Sequence, residues 1–312
     1  MNIFEFLHYP KDHRKENKVT QLVKHFDEVS DKHKDKELVG QVKKDGVCAL
    51  VVVKSDGIRI FSRTGKPFAN VECLRTSLYE LELPFGVYMG EMCCNLVSLE
   101  VLSGVVNPNR VNPLKEEVWR VPKNLTLHLF DFLSIGNFLD GACSLPYTSR
   151  HGDLKNKVGR GNSHIEVLPY GLLGEDETDF VTDYYIDLGE EGAIFRDPEA
   201  GWEAGHKGWR AMKKVRGVDY DLRCIGVEEG TGKYAGKVAN LIFQWKDDLT
   251  IKAMLGKGWT QQMAKDMYWD MSTPNTPIGK IFQVYALEES SKGRLRIPKV
   301  GEVRFDKGHS DV

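Results

Sequence analysis

The 312-residue chain reads as an α+β fold in two unequal parts, and three observations predict it. Apolar runs with strand texture alternate with mixed, helix-compatible segments as far as Arg216. Beyond Arg216 the apolar runs are short, closely spaced and interrupted by a single helical stretch. The length suffices for one large domain or two, and the change of texture sets a boundary near Gly217, which divides the chain into residues 1–217 and 218–312.

In order along the chain, residues 1–37 are dense in charge, and Val19, Leu22, Val23 and Phe26 recur at a spacing that predicts a short amphipathic helix ahead of the first sheet. Leu38–Val42 reads as a strand, followed by Val47–Val53, a Ser55-Asp56-Gly57 turn and Ile58–Phe61, which make a hairpin. Lys43 therefore falls at a strand end, in a turn that Gly46 permits. Gly86–Cys93, Leu125–Leu133 and Gly192–Phe195 are further strands. In the second part the strands are Asp221–Val227, Val238–Trp245, Leu249–Leu255, Lys280–Leu287 and a last run through Arg304, with a helix over Gln261–Met271. Five short strands and one helix fit a small β-barrel of the OB type.

The composition, 41% hydrophobic and 28% charged, is that of a soluble globular protein. No run of 18 apolar residues could span a bilayer, and Met1 is not followed by a basic-then-apolar leader. A cytoplasmic, monomeric protein with no membrane partner is expected. The six cysteines include no C-x-x-C pair and have no histidine at zinc-finger spacing, so reduced, mostly buried thiols are expected in place of a disulfide framework or zinc site. The net charge of −2 hides a split: residues 206–312 carry 19 Lys+Arg against 13 Asp+Glu, a surplus that suits a polyanion. The acidic stretch Glu175 to Asp187 has no ligand-like spacing and reads as a solvent-facing surface.

Lys43-Lys44-Asp45-Gly46 is the stretch that points to chemistry. A lysine makes a poor nucleophile at neutral pH, because a reference pKa near ~10.4 leaves it almost wholly protonated, a handicap of roughly 4 kcal/mol. Neighbouring cations or a metal relieve that handicap and also stabilise a phosphoryl group in transfer. Such a lysine should therefore be accompanied by Lys or Arg for phosphates and by carboxylates for Mg²⁺. Gly90-Glu91, Glu191-Gly192 and Lys213-Lys214-Val215-Arg216 supply these, and Phe130 offers an aromatic platform for a purine. Taken singly, each carboxylate reads as a solvated turn residue and Phe130 as core. Their order overturns that.

The series K-x-D-G, S-R-x-G (Ser62 to Gly65), G-E, aromatic-Asp, E-G and basic cluster resembles the ATP-dependent DNA ligases of the covalent nucleotidyltransferase superfamily, in particular the compact bacteriophage and bacterial kind. The C-terminal Gly293-Arg294-Leu295-Arg296-Ile297-Pro298 and Val303-Arg304-Phe305-Asp306-Lys307 are similar to that family's closing motif. The resemblance implies a nucleotidyltransferase (adenylation) domain followed by an OB-fold domain. It implies that Lys43 becomes adenylated by ATP, that Asp45 positions a sugar hydroxyl or metal, and that Gln41 and Val42 flank the base, with Gln41 reading its amine. Glu91 and Glu191 would hold ribose and Mg²⁺, and Phe130 would stack on adenine. Lys213 would neutralise the α-phosphate, with Lys214 and Arg216 offering a shifted register. Arg304 and Lys307 would orient the departing phosphates. Arg63 would contact both the nucleotide sugar and the nick phosphate, and Lys66, Arg294 and Arg296 would join it on nicked duplex DNA. Arg150, Lys155, Lys157 and Arg160 form a glycine-containing basic loop over 149–161 that reads either as a DNA-binding loop following the phosphate backbone or as a solvated loop.

Two positions depart from the pattern. Cys48 stands where the family has an arginine after the first motif, and Ala211 stands where the first lysine of the pair behind Trp209 is expected. The function expected is nick sealing; RNA sealing, mRNA capping with GTP, and a non-catalytic OB-type binding protein are the alternatives.

Overall fold

The computed structural model describes all residues except Arg216, Lys257, Leu287, Glu288, Ser291 and Lys292. It separates into two compact units, Met1–Val215 and Arg216–Val312.

The first unit runs α1 (Ile3–Phe6), β1 (Leu22–His25), β2 (Leu38–Lys43), β3 (Val47–Lys54), β4 (Gly57–Ser62), α2 (Glu72–Glu80), β5 (Gly86–Cys93), α3 (Leu99–Val106), β6 (Thr126–Leu133) and α4 (Ile135–Asp140). It continues with β7 (Ala142–Cys143), α5 (Tyr147–Val158), β8 (Ile165–Val167), β9 (Gly171–Leu173), α6 (Thr178–Asp187), β10 (Gly192–Arg196), β11 (Trp202–Glu203) and β12 (Lys207–Val215). Two five-stranded sheets result, β1-β12-β10-β2-β9 and β4-β3-β5-β6-β8, so consecutive strands β2 and β3 belong to different sheets. The turn at residues 44–46 is the crossing between them.

The second sheet is covered on both faces, which is why Val47–Val53 is an unbroken apolar run rather than an alternating one. Ala49, Val51 and Val53 pack with Leu74, Leu78 and Leu154, while Leu50 and Val52 pack on the other side with Phe4, Phe61 and Phe138. The back of the first sheet buries Leu38, Ala193, Phe195 and Met212 together with Phe26 and Val29. The second unit holds β13 (Val218–Glu229), β14 (Val238–Gln244), β15 (Thr250–Leu255), α7 (Gln261–Trp269), β16 (Ile281–Ala286) and β17 (Lys299–Val303). Its strands close into a barrel in the order β13-β14-β15-β17-β16 around Leu222, Leu241, Phe243 and Val284. The expected α+β layout followed by a barrel is what the chain forms; Leu287, placed at the end of a strand by the sequence, lies outside the described residues. Among the described residues no helix is long and apolar enough to cross a membrane.

Two segments differ from the sequence reading. The amphipathic helix expected around Val19–Phe26 is instead β1, paired in parallel with β12. Its four apolar residues do not share one face: Val19 packs with Ile3 and Phe4, Phe26 packs with Phe195, and the edge of the sheet claims Leu22 and Val23. Tertiary pairing has overridden a helix-compatible spacing. The basic loop expected over 149–161 is mostly α5, because Tyr147, Arg150, His151, Leu154 and Val158 are buried at a spacing of three and four. Gly152, taken as a loop signal, has no heavy atom within 4 Å of a notional Cβ.

Gly192 is fixed by geometry. Its φ is +144°, and a Cβ there would lie 2.3 Å from the Lys214 carbonyl oxygen on the neighbouring strand. Gly192→Ala should therefore cost about 2 kcal/mol or more of unfolding free energy by backbone strain and collision. Urea unfolding of the variant against wild type measures it.

Candidate active site

The site is built where the chain crosses from one sheet to the other. Antiparallel pairing sets Lys43 opposite Gly192, and the Glu191 backbone N–H donates to the Lys43 carbonyl at 3.2 Å. The turn then passes tightly over β5: a Cβ on Gly46 would sit 2.6 Å from the Met92 carbonyl oxygen and 2.8 Å from Glu91 Cγ. Close approach, not a left-handed φ, is thus what demands glycine here. The crossing places Lys43 of the first sheet near Glu91 of the second, at one end of a cleft lined by both sheets.

At this end charges of both signs converge. The Lys43 ammonium donates to the Glu191 carboxylate, and Lys44 donates to Glu190. Burial pushes the Glu91 carboxyl up to about 7, with Glu191 and Asp45 adding to the rise and Lys43 and Arg63 opposing it. Burial also lowers Lys213, aided by Lys43, Lys207 and Arg63. Lys43, Asp45, Arg63, Glu91, Glu191 and Lys213 therefore sense one another's charge. Cys48, beside Glu91 on the adjacent strand, is an un-ionised thiol pushed up to about 12 by burial. It supplies no cation in place of an arginine, and Arg63 is the basic residue that lines the cleft nearby.

The other end is apolar and hydrogen-bonded. Phe130 lines the cleft with the Arg196 guanidinium 5.1 Å from its ring centroid, and the same guanidinium lies 4.9 Å from the Tyr147 ring. Gln41 is 1% exposed, and its amide is already engaged: Nε2 donates to the Leu168 carbonyl at 3.3 Å, and Tyr147 Oη donates to Oε1 at 2.7 Å. His151 Nε2 also donates to that carbonyl, at 2.8 Å, which fixes its proton on Nε2. Gln41 thus braces the floor of the cleft rather than extending a free amide into it.

The structure corrects two assignments. Arg150 is buried, with Nε and Nη2 donating to the two Asp131 carboxylate oxygens at 2.9 Å each and Nη1 to the carbonyls of Leu145 and Ala200, so it cannot follow a phosphate backbone. Its partner Asp131 is next to Phe130, and the pair holds that stretch of β6. Lys214 belongs to the opposite face of β12, where it pairs with Asp179 of α6, because alternation sends Ala211 and Lys213 to the cleft side and Met212 and Lys214 to the back. Arg216 lies outside the described residues. Val42 lines the cleft, Asp45 sits at the exposed tip of the turn, Lys66 pairs with Glu16, and Arg160 is exposed beyond α5. Arg294 is exposed and Arg296 half-buried in the second unit, where Arg304 and Lys307 both pair with Asp221. Sequence reasoning missed Tyr147 and Arg196. Arg196, four residues after Gly192 on a strand of known alternation, was legible in principle; Tyr147 carries no such signal.

Among the described residues no three His, Cys, Asp or Glu side chains converge to hold a metal alone. The donor set at the Lys43 end still fits Mg²⁺, which keeps waters and takes one or two carboxylates plus phosphate oxygens. The rise at Glu91 caused partly by Glu191 and Asp45 is the repulsion that a dication would relieve.

Residues 18–215 match the family model of the ATP dependent DNA ligase domain, and residues 229–304 match the DNA ligase OB-like domain. A curated DNA ligase of Pyrobaculum calidifontis is 29% identical over 163 residues, covering 47% of this chain; the match spans only 27% of that relative's length. Among solved structures, Pmar-Lig_PreS3 is 21% identical with a TM-score of 0.76, covering 91% of this chain and 67% of its own. A Lig E DNA ligase is 15% identical with a TM-score of 0.67, covering 91% and 98% respectively. The ATP-dependent DNA ligase from bacteriophage T7 in complex with ATP is 19% identical with a TM-score of 0.54, covering 92% and 99%. At these identities the likeness is one of fold.

The raised Glu91 has a consequence for stability. In the unfolded chain this carboxyl ionises near 4.5, whereas in the fold it holds its proton to about 7. Its stabilising contribution is complete below the lower value and is lost as pH rises through the upper one. Glu91→Gln cannot ionise, so relative to wild type the variant should gain stability between pH 5 and pH 8. Urea unfolding of both nucleotide-free proteins at the two pH values checks this; an unchanged difference would show that Glu91 is already ionised in the fold.

Proposed function

This chain belongs to the ATP-dependent DNA ligase family, and from that premise we propose that it seals 5′-phosphate/3′-hydroxyl nicks in duplex DNA through an AMP carried on Lys43. The observation that supports this most is the position of Lys43: at the mouth of a cleft with cations and carboxylates around it, and with Phe130 further along the cleft wall. We assign 1–217 to the adenylation domain and 218–312 to the OB domain. ATP and nicked DNA are substrates found inside cells, which supports an intracellular enzyme; we take it to work as a monomer.

In this reading ATP lies along the cleft with adenine against Phe130 and its triphosphate toward Lys43. The Lys43 ammonium, released from Glu191, gives up a proton to solvent, and the amine so formed bonds to the α-phosphorus, shedding its second proton to solvent, as the bond to the β-phosphate oxygen breaks and pyrophosphate leaves. Lys213 and Arg63 face the charge that develops on the α-phosphoryl oxygens. Mg²⁺ at Glu91 and Glu191 would supply Lewis-acid stabilisation of the same charge. The 5′-phosphate at the nick then takes AMP from Lys43, and the 3′-hydroxyl displaces AMP to close the strand. Braced Gln41, Tyr147 and Arg196 shape the adenine end. Charging with labelled ATP but not GTP separates this reading from capping.

Lys43→Ala should leave the fold intact, since the side chain is half-buried in the cleft rather than in a core cluster. It should lose the protein-AMP adduct that intact-mass measurement detects in wild type. An adduct persisting on the variant would move the nucleophile elsewhere.

Pyrophosphate departs in the first step only, so residues that orient it serve a transition state that later steps never visit. Arg304→Ala and Lys307→Ala should each slow Lys43 charging by about tenfold or more and leave sealing of a nick already carrying 5′-AMP near wild type. Both reactions are measured on the same preparations, and equal losses in the two would assign these residues to folding or DNA binding.

A further inference from the structure

Asp221, on the first barrel strand, is 5% exposed and spends every polar atom it has on the chain's last residues. Its carboxylate receives Arg304 Nη1 on one oxygen at 3.1 Å and lies 3.0 Å from Lys307 Nζ through the other. Its backbone N–H donates to Asp311 Oδ2 at 2.6 Å, and its carbonyl accepts from the Asp311 N–H at 2.8 Å and from Ser310 Oγ at 3.2 Å. Residues 304–312 form neither helix nor strand; the Arg304 N–H donates to the Ile281 carbonyl at 2.8 Å, but no regular ladder continues past it to orient the side chains. Arginine and lysine in such a segment each have rotamer entropy to lose on gripping an anion. A buried carboxylate that already fixes both removes much of that cost in advance.

We propose that Asp221 is the positioning residue of the closing motif: by clamping Arg304 and Lys307 to its two oxygens, it sets the spacing at which they meet the β- and γ-phosphates of ATP. This rests on the ligase reading above. The remaining Arg304 donors, Nε and Nη2, are paired with exposed Asp306 at 3.0 and 2.9 Å, on the side away from the buried anchor. Asp221 touches no phosphate in this scheme and acts through its two cations.

A merely structural role, stapling the C-terminal residues to the barrel, would use the same backbone bonds and must be separated from positioning. Asp221→Asn serves, because it keeps the size, the backbone bonds and one acceptor oxygen while removing the charge that holds two cations. Full-length wild type, Asp221→Asn, Arg304→Ala and the double variant are compared in single-turnover charging with ATP, in sealing of a pre-adenylated nick, and in thermal unfolding. Positioning predicts that Asp221→Asn slows charging by about tenfold or more, leaves pre-adenylated sealing within about twofold, and adds little to the loss already caused by Arg304→Ala. Wild-type charging by Asp221→Asn beside a crippled Arg304→Ala overturns the inference alone. Equal losses in charging and sealing, following a lowered Tm, reduce Asp221 to a staple and also overturn it. Normal charging by Arg304→Ala would sink the role of the closing motif itself.

Discussion

The register of β2 against β10, and of β10 against β12, is the constraint on which the site depends. It sets Lys43 opposite Gly192, Gln41 opposite Ile194, and Ile194 opposite Lys213. Because side chains alternate along a strand, these residues share the cleft side with Arg196 and Ala211. A slip of one residue on β12 would exchange Lys213 for Lys214 and turn Met212 out of the apolar layer formed with Phe195 and Phe26. The core on the back of the sheet thereby enforces the chemistry on its front. Gly192 permits the arrangement, since any larger residue would push β12 away through the Lys214 carbonyl.

A second constraint acts at the Phe130 end of the cleft. Asp131 and Arg150 form a buried, bidentate pair, and both partners are 3% exposed. Such pairs contribute little net stability, because the desolvation of two charges offsets their attraction, yet removing one partner leaves an uncompensated charge. What the pair supplies is geometry: it ties the residue after Phe130 to α5, which also carries Tyr147 and His151. Helix, strand and the Leu168 carbonyl are thus joined through one network in which Gln41 is central. The cleft floor is held by bonds within the chain itself.

The sequence made the strands that are buried on both faces easy to read, and Gly86–Cys93 has the bounds found for β5. The lysine turn, its glycine and the two carboxylates were legible because the chemistry demands those residue types in that order. What failed has a physical cause in each case. Val19, Leu22, Val23 and Phe26 fit a helix by spacing, but each is claimed by a different neighbour, which no local pattern reveals. Arg150 read as surface because arginine usually is; its burial depends on Asp131, 19 residues earlier. Lys213 and Lys214 differ only in parity, and strand alternation, available in the sequence once β12 is recognised, assigns one to each face.

Four of the basic residues share one arrangement. Lys43 is held by Glu191, Lys44 by Glu190, and Arg304 and Lys307 by Asp221. In the proposed reading these cations are balanced by carboxylates before a phosphate arrives, which would let a chain of net charge −2 bind polyanions. Phosphate binding would then exchange one anion for another at a fixed cation, so the cation's desolvation would be largely met in advance and the net gain would come from the difference between partners. The carboxylate set free at Lys43 is Glu191, close enough to Glu91 to raise its pKa. With Lys43 withdrawn, Glu91 and Glu191 would be left without their cation; these two carboxylates would hold Mg²⁺, which would supply the missing positive charge.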